Sequence, residues 1–396
     1  MLAEKSVERD VQMDSALMRR ARGLLQSLHQ TGKYPALQVC IRRHGKIVLH
    51  DAIGRYRPID EDTWKPVAHD TRFMLFSLSK CITATCIHIL IDRGVLQVDD
   101  LISWHIPEFG QRGKSQATIR HALTHQLGIP MILWNLHDDL ILDWDRIVQT
   151  ICEQTPWHVP GRRTGYHMIS GGYVLGEIIR RVDGRDLRQF AREEILDPLG
   201  LKTMNFGIEE RWFPQVASSE RVDALPPRIL LGFLSRVLDV DIEQALAVMN
   251  RPSVFRAIIP SGNVVGTAAE VSRFFELLLH GGQLEETRIL SDRQVSRATI
   301  EQVMAPIDWT LLMMPQRYGL GFMLGRKSTP WNVFGGGTEK TFGHLGFMRN
   351  LGWADPDTGV AGALLTSGKP IRPGRELILF RRFQNLIRQA CLTSKT

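Results

Sequence analysis

One run limits what this chain can fold into more than any other: SKCITATCIHILIDRG, residues 79–94. From about residue 76 the pattern turns helical, and apolar side chains occupy nearly the whole circumference. A helix with one apolar stripe lies on a core, whereas a helix apolar all round is buried on most sides. Gly94 falls where a C-terminal cap would end it. The chain must supply the covering structure, and its 396 residues suffice for two domains or one large domain with an insertion.

The flanking segments say what that covering is. Residues 4–31 read as an amphipathic helix. ALQVCIRRHGKIVLHDAIG reads as a β-hairpin, two runs rich in Val and Ile about His44-Gly45. Helical segments and loops continue to about residue 250. Short Gly-bounded, partly alternating runs return late: YGLGFML (318–324), TFGHLGFM (341–348), LGWADP (351–356) and GVAGALLTS (359–367). Asp355-Pro356-Asp357-Thr358-Gly359 is a strong turn between the last two. GRELILFRRFQNLIRQACL closes the chain as an amphipathic helix, and there is no internal repeat. The economical reading is an α+β fold. Residues 1–75 and 255–396 form one discontinuous antiparallel sheet domain flanked by helices, and 76–254 form an inserted helical domain. A cleft between the two is the default active site.

Composition removes several function classes. With 43% hydrophobic and 23% charged residues the chain reads as an ordinary soluble globular protein. No apolar stretch approaches the roughly 18–20 residues of a membrane span. The charged N-terminal stretch MLAEKSVERDVQMDSALMRRARG lacks a signal-peptide core, so a cytoplasmic location is expected. Five cysteines without a CxxC pair fit a reducing compartment. The net charge of +7 is spread in short pairs such as Arg19-Arg20 and Arg381-Arg382, with no nucleic-acid motif and no basic tail. A solvated basic surface is the expectation, with no nucleic-acid partner. His121 and His125 have zincin spacing, but Ala122 stands where the general-base Glu belongs, so they read as helix-end or core histidines. No GxSxG, Walker A or dinucleotide fingerprint occurs, and no metal or cofactor is expected.

The chemistry begins at Ser77-Leu78-Ser79-Lys80. A serine hydroxyl is a weak nucleophile and needs a base. On a helix Lys80 lies one turn from Ser77. Flanked by Leu78, Cys81 and Ile82, its amine would be desolvated and shifted toward a proton-accepting pKa. The helix N-terminus adds backbone N–H donors beside Ser77. The same letters also describe an N-cap serine with a snorkelling lysine. Ser79 competes as nucleophile, but Ile82 three residues on offers no base.

Other blocks bear on that choice. FSLSKCITATCIHILIDRGVLQVDDLISWHIPEF, TIRHALTHQLGIP (118–130), PGRRTGYHMISGGYVLGEIIRRVDGRDLRQFAREEILDPLGL (160–201), PSGNVVGTAAEVSRFFELLLHGG (260–282) and FGHLGFMRNLGWADPDTG (342–359) occur in this order. Together they resemble the serine β-lactamase and penicillin-binding superfamily, in its class C β-lactamase-like branch, which includes the family VIII carboxylesterases. The resemblance covers roughly residues 15–390. It implies a β-lactamase/transpeptidase-like fold with serine acyl transfer, Ser77 as nucleophile, Lys80 beside it and Tyr166 as second base. A Lys80 ammonium nearby is expected to lower the Tyr166 pKa, and which of the two takes the first proton stays open. Tyr173, inside YVLGEII, is expected to pack. His344-Leu345-Gly346 matches the third motif on a strand facing Ser77, its glycine allowing close backbone approach. The N–H groups of Ser77 and Phe347 are the implied oxyanion hole.

Departures from the branch's pattern narrow the substrate. Where its β-lactamases carry Lys-Thr-Gly, this chain has His344, mostly neutral at pH 7, and Leu345, which has no hydroxyl. Met168 stands where an amide-contacting asparagine follows the tyrosine. Anionic, amide-bearing substrates lose two polar partners, whereas a neutral apolar ester loses little. Trp134, Trp144, Trp157 and Trp212 are candidate walls of an apolar acyl pocket. The expectation is a carboxylesterase acting on a small-molecule ester. A β-lactamase, a D-amino-acid peptidase or an acyltransferase with the same residues remains an alternative, as does a non-catalytic binding module of this fold.

Overall fold

The computed structural model describes residues 7–8, 10–130, 139–223, 242–308, 310, 314–327, 332–335, 338–372 and 374–392. The first long helix, α1 (Ser15–Gln30), starts later than the amphipathic pattern because Asp14 caps it, its carboxylate accepting from the amides of Ala16 and Leu17 at 2.8 and 2.9 Å. The hairpin follows as β1 (Ala36–Arg43) and β2 (Lys46–Tyr56). His44 and Gly45 at its turn have φ of +49° and +78°. That doubly left-handed turn matches the right-handed strand twist.

Next come β3 (Lys65–Pro66), β4 (Arg72–Met74), α2 (Ser79–Asp92), α3 (Trp144–Glu153), α4 (Ser170–Asp183), β5 (Asn205–Phe206), β6 (Val216–Ala217), β7 (Val264–Gly266) and α5 (Ala268–Leu279). The last part holds β8 (Gln283–Leu284), β9 (Thr287–Arg288), β10 (Val303–Asp308), β11 (Met314–Tyr318), β12 (Met323–Leu324), β13 (Phe342–Leu345), β14 (Leu351–Asp355), β15 (Val360–Thr366) and α6 (Arg375–Leu392). Among the described residues the main sheet runs β10-β11-β12-β13-β14-β15-β1-β2-β3, each neighbouring pair antiparallel. The two ends of the chain thus meet at β1–β15, with Leu37 opposite Thr366 and Arg43 opposite Val360.

Strand β1 is buried along its whole length, and its side chains sort between two cores. Leu37, Val39 and Ile41 join the α1 and α6 side with Met18, Leu25 and Phe383. Ala36 and Cys40 join the other side with α5. On that side Gln38 Oε1 accepts from the Ala268 amide, and Arg42 bonds Ser272 and Glu276 at 3.0 and 3.3 Å. Helices on both faces explain why β1 shows no apolar/polar alternation.

The run YGLGFML is two strand ends and a turn: β11 stops at Tyr318 and β12 starts at Met323. Gly321, at φ +89°, lets the turn lie against Ala84 of α2. Within the helical middle, β5 and β6 pair with β7 and β4 in a small sheet of order β5-β7-β4-β6. That sheet ties the middle of the chain to the segment leading into α2. Helix α2 is enclosed as its composition requires, with every residue from Ser79 to Leu90 buried. No described helix is long and apolar enough to cross a membrane.

Candidate active site

The nucleophile candidate sits in the short link between β4 and α2. Residues Phe76–Leu78 form one 3₁₀ turn, and α2 proper begins at Ser79. Ser77 thus precedes the helix rather than belonging to its first turn, and no side chain caps α2 at Leu78. Between Thr71 and Leu90, Ser77 is the one residue that is not buried. Ser79 is structural: its hydroxyl donates to the Phe76 carbonyl at 2.6 Å and accepts from the Val264 amide at 3.0 Å.

Lys80 Nζ lies 3.3 Å from Ser77 Oγ. It also donates to the carbonyls of Met168 at 2.9 Å and Ser261 at 3.2 Å. Burial pushes its pKa down to about 7. A neutral amine has two hydrogens and one lone pair. Two carbonyls take the hydrogens, and the remaining direction faces Ser77 Oγ.

Tyr166 is held by its backbone and its ring. Its amide donates to both carboxylate oxygens of Asp308 at 3.1 Å, and its carbonyl accepts from Thr310 Oγ1 at 3.0 Å. Its ring packs on His125, centroids 4.6 Å apart, and Lys80 Nζ stands 4.8 Å from its centroid. The expected lowering of the Tyr166 pKa does not occur. Burial drives it well above the usual tyrosine value, and the Ser77 hydroxyl offsets this only in part. Desolvation of the phenolate outweighs any benefit from Lys80, whose ammonium is itself disfavoured here.

The third motif is strand β13. His344 is buried, with Nδ1 donating to the Leu345 carbonyl at 2.8 Å. Burial, then the nearby Lys80 charge, hold its pKa at about 3. The ring is therefore neutral, and Nε2 is a buried lone pair with no hydrogen-bond partner among the described residues. At Gly346 an added Cβ would overlap the Leu75 carbonyl oxygen, so this strand end touches the nucleophile's turn backbone to backbone. Leu345 is half-buried, and Phe347 brings its ring within 5.6 Å of Phe76.

Several residues that the sequence left without a role belong to this neighbourhood. Asp308 accepts from Tyr318 Oη at 3.0 Å as well as from Tyr166. His125 Nδ1 accepts from the His167 amide at 3.1 Å, and its ring fills the space between Tyr166 and Tyr318. His121 takes part in a capping box with Thr118. The HALTH spacing thus builds a helix cap and a support for Tyr166. Nothing in the residues around Asp308 signalled its position, because the pairing that brings it to Tyr166 is long-range.

Of the four tryptophans proposed as candidate walls of an acyl pocket, two are engaged in packing. Trp144 Nε1 donates to Glu177 at 2.8 Å and its ring packs on Tyr173, which is itself a packing residue bonded to the Ile141 carbonyl at 2.5 Å. Trp212 stacks between Arg72 and Arg211 at 4.2 and 5.2 Å. Trp157 is exposed, and Trp134 lies outside the described residues. The Trp144 indole N–H and the Trp212 ring face found polar and cationic partners instead.

An antiparallel sheet flanked by helices, with a serine, a desolvated lysine and a tyrosine meeting at the root of a buried helix, defines a β-lactamase/transpeptidase-like protein. The Beta-lactamase family profile matches residues 21–385, and the chain belongs to that family. It is 31% identical over 321 residues to the esterase/beta-lactamase LipL of Mycobacterium tuberculosis, covering 77% of this chain and 71% of that protein. A penicillin-binding protein homologue from Caulobacter crescentus superposes with a TM-score of 0.77 at 28% identity, over 93% of this chain and 97% of the other. A family VIII carboxylesterase shares the fold with a TM-score of 0.80 at 22% identity, over 96% and 98%.

Proposed function

We propose that this protein hydrolyses neutral carboxylic esters through an acyl-enzyme on Ser77. The observation that carries the reading is the Lys80 amine, buried at 3.3 Å from Ser77 Oγ with two carbonyls holding its other hydrogen-bonding directions. Neutral Lys80 takes the Ser77 proton as Oγ attacks the ester carbonyl. The backbone N–H groups of Ser77 and Phe347 hold the oxyanion. The ammonium returns the proton to the departing alkoxide, with the protonated phenol of Tyr166 as the relay. Water then adds to the acyl-enzyme, giving its proton to Lys80, and the carboxylic acid leaves as Ser77 Oγ is reprotonated. Lys80 is the first base, since burial favours its neutral form and disfavours the tyrosinate.

The substrate class follows from charge. His344 offers a lone pair where a lysine would offer a cation, and Leu345 offers no hydroxyl. A carboxylate in that position would lose its hydration without gaining a counter-charge. The names of LipL and of the family VIII carboxylesterase support ester chemistry. A cytoplasmic location fits the five buried cysteines, none of them in a disulfide. The test is p-nitrophenyl butyrate hydrolysis at pH 8 by wild type and Ser77→Ala. Turnover by wild type with background rates for the variant supports the proposal. Equal rates overturn the nucleophile, and no turnover by folded wild type overturns the ester reading.

A further inference from the structure

Two turns meet where the oxyanion is proposed to sit, and both contain left-handed residues that are not glycine. Phe76, just before Ser77, has φ +51°. Met348 and Arg349, just after Phe347, have φ +49° and +89°. A side chain in such backbone is strained and persists only where the surroundings over-determine it. One buried residue ties the two turns together. Asn350 Nδ2 donates to the Met74 carbonyl at 2.8 Å, on the strand that leads into the Ser77 turn. Its backbone carbonyl accepts from the Gly346 amide at 2.7 Å, closing the Phe347 turn. Its Oδ1 accepts from the Thr366 amide at 2.9 Å and from Lys369 Nζ at 3.3 Å.

Lys369 completes the junction. Its side chain is fully buried, with no carboxylate partner among the described residues. Nζ donates to the Thr366 carbonyl at 2.7 Å and stands 4.9 Å over the Phe76 ring. The amine therefore bridges strand β15, the Asn350 amide and the face of the aromatic residue that carries the left-handed backbone. The overlap that a Cβ at Gly346 would make with the Leu75 carbonyl shows how little separation the two turns have.

We propose that Asn350 and Lys369 are positioning residues: they lock the Ser77 turn and the Phe347 turn at one separation, and so set the spacing of the two oxyanion N–H donors. This rests on the acyl-transfer reading of Ser77. It gives a role to two residues that do not themselves handle the substrate. A misplacement of about 1 Å costs roughly 10²-fold in rate.

The test uses Asn350→Ala and Lys369→Met, the second keeping the aliphatic stem. For each, kcat and KM for p-nitrophenyl butyrate are measured with the rate at which a fluorophosphonate labels Ser77, folding being checked by circular dichroism. The expected result is a kcat loss of about 10²-fold for Asn350→Ala and about tenfold for Lys369→Met. KM should stay within about threefold, and labelling should slow in parallel. Folded variants that keep kcat and labelling within about threefold, or that raise KM alone, overturn the proposal. If Asn350→Ala does not fold, Lys369→Met decides. If wild type hydrolyses no ester, the ester reading fails by itself. Crystal structures of the variants then judge the brace: Phe76 and the Phe347 turn unmoved in both would overturn it, whatever the substrate.

Discussion

Lys80 would carry a cation in water and His344 would titrate near pH 6.5, and burial shifts both downward. Burial brings Lys80 to about 7 and His344 to about 3, so at pH 8 both are mostly or wholly neutral. The proposed mechanism needs neutral Lys80, so kcat/KM should rise with pH and level off above about 7. Between pH 8 and pH 6 it should fall about tenfold, as the unprotonated fraction does. A flat profile over that range, measured on the same ester, would remove Lys80 as the base. Lys80→Met keeps the stem and loses the lone pair; its kcat should drop by about 10²–10⁴-fold with folding intact. The lone pair of His344 Nε2 bears on selectivity. Neutral short-chain esters should outperform anionic β-lactams in kcat/KM, a comparison that steady-state assays on one preparation settle.

At the scale of elements, the buried helix α2 and the turns that touch it govern stability. Ile87 is fully buried in its middle, and Ile87→Ala should lower unfolding stability by about 2–5 kcal/mol through lost transfer energy and a cavity. Gly321 combines φ +89° with a Cβ position already filled by Ala84. Gly321→Ala should therefore cost at least ~2 kcal/mol, summing backbone strain and overpacking. Urea midpoints read both substitutions, and a Gly321→Ala protein as stable as wild type would show that the turn can move off the helix. The run expected at 318–324 is broken for the same reason: the chain has to turn where it meets α2.

For the whole molecule, burial of histidine sets the response to acid. His88, His167 and His344 are buried, with pKa values pushed down to about 4, 3 and 3 by desolvation. An unfolded histidine titrates near 6.5, so below that pH the unfolded chain binds protons that the folded one does not. Stability is therefore fully present above about 6.5 and is lost as pH falls toward 4. Each histidine contributes a slope approaching about 1.4 kcal/mol per pH unit in that window. Urea midpoints from pH 7 to pH 4 should fall steadily, and substituting His88 by Gln should make the fall shallower. An unchanged midpoint across that range would contradict neutral burial of these rings.

The sequence by itself determined the local and the ordered. The all-round apolar run at 79–94 required a buried helix, the His44-Gly45 turn set the hairpin, and the sequential motifs marked the β-lactamase-like fold and the stretch where Ser77, Lys80 and Tyr166 lie. The helix and the hairpin follow from periodicity and turn chemistry, whereas the fold and the place of Tyr166 came from the resemblance of ordered motifs, which a linear string also carries. Tertiary structure alone decided what surrounds those residues. Asp308 under Tyr166, His125 between two tyrosines, the Met168 and Ser261 carbonyls on Lys80, and the Asn350–Lys369 junction are all contacts across long sequence separations. The sign of the Tyr166 shift belongs with them. Proximity to a lysine suggests a lowered value, but the energy of a charge depends on how much water the fold leaves around it, and that is fixed only once the chain has closed.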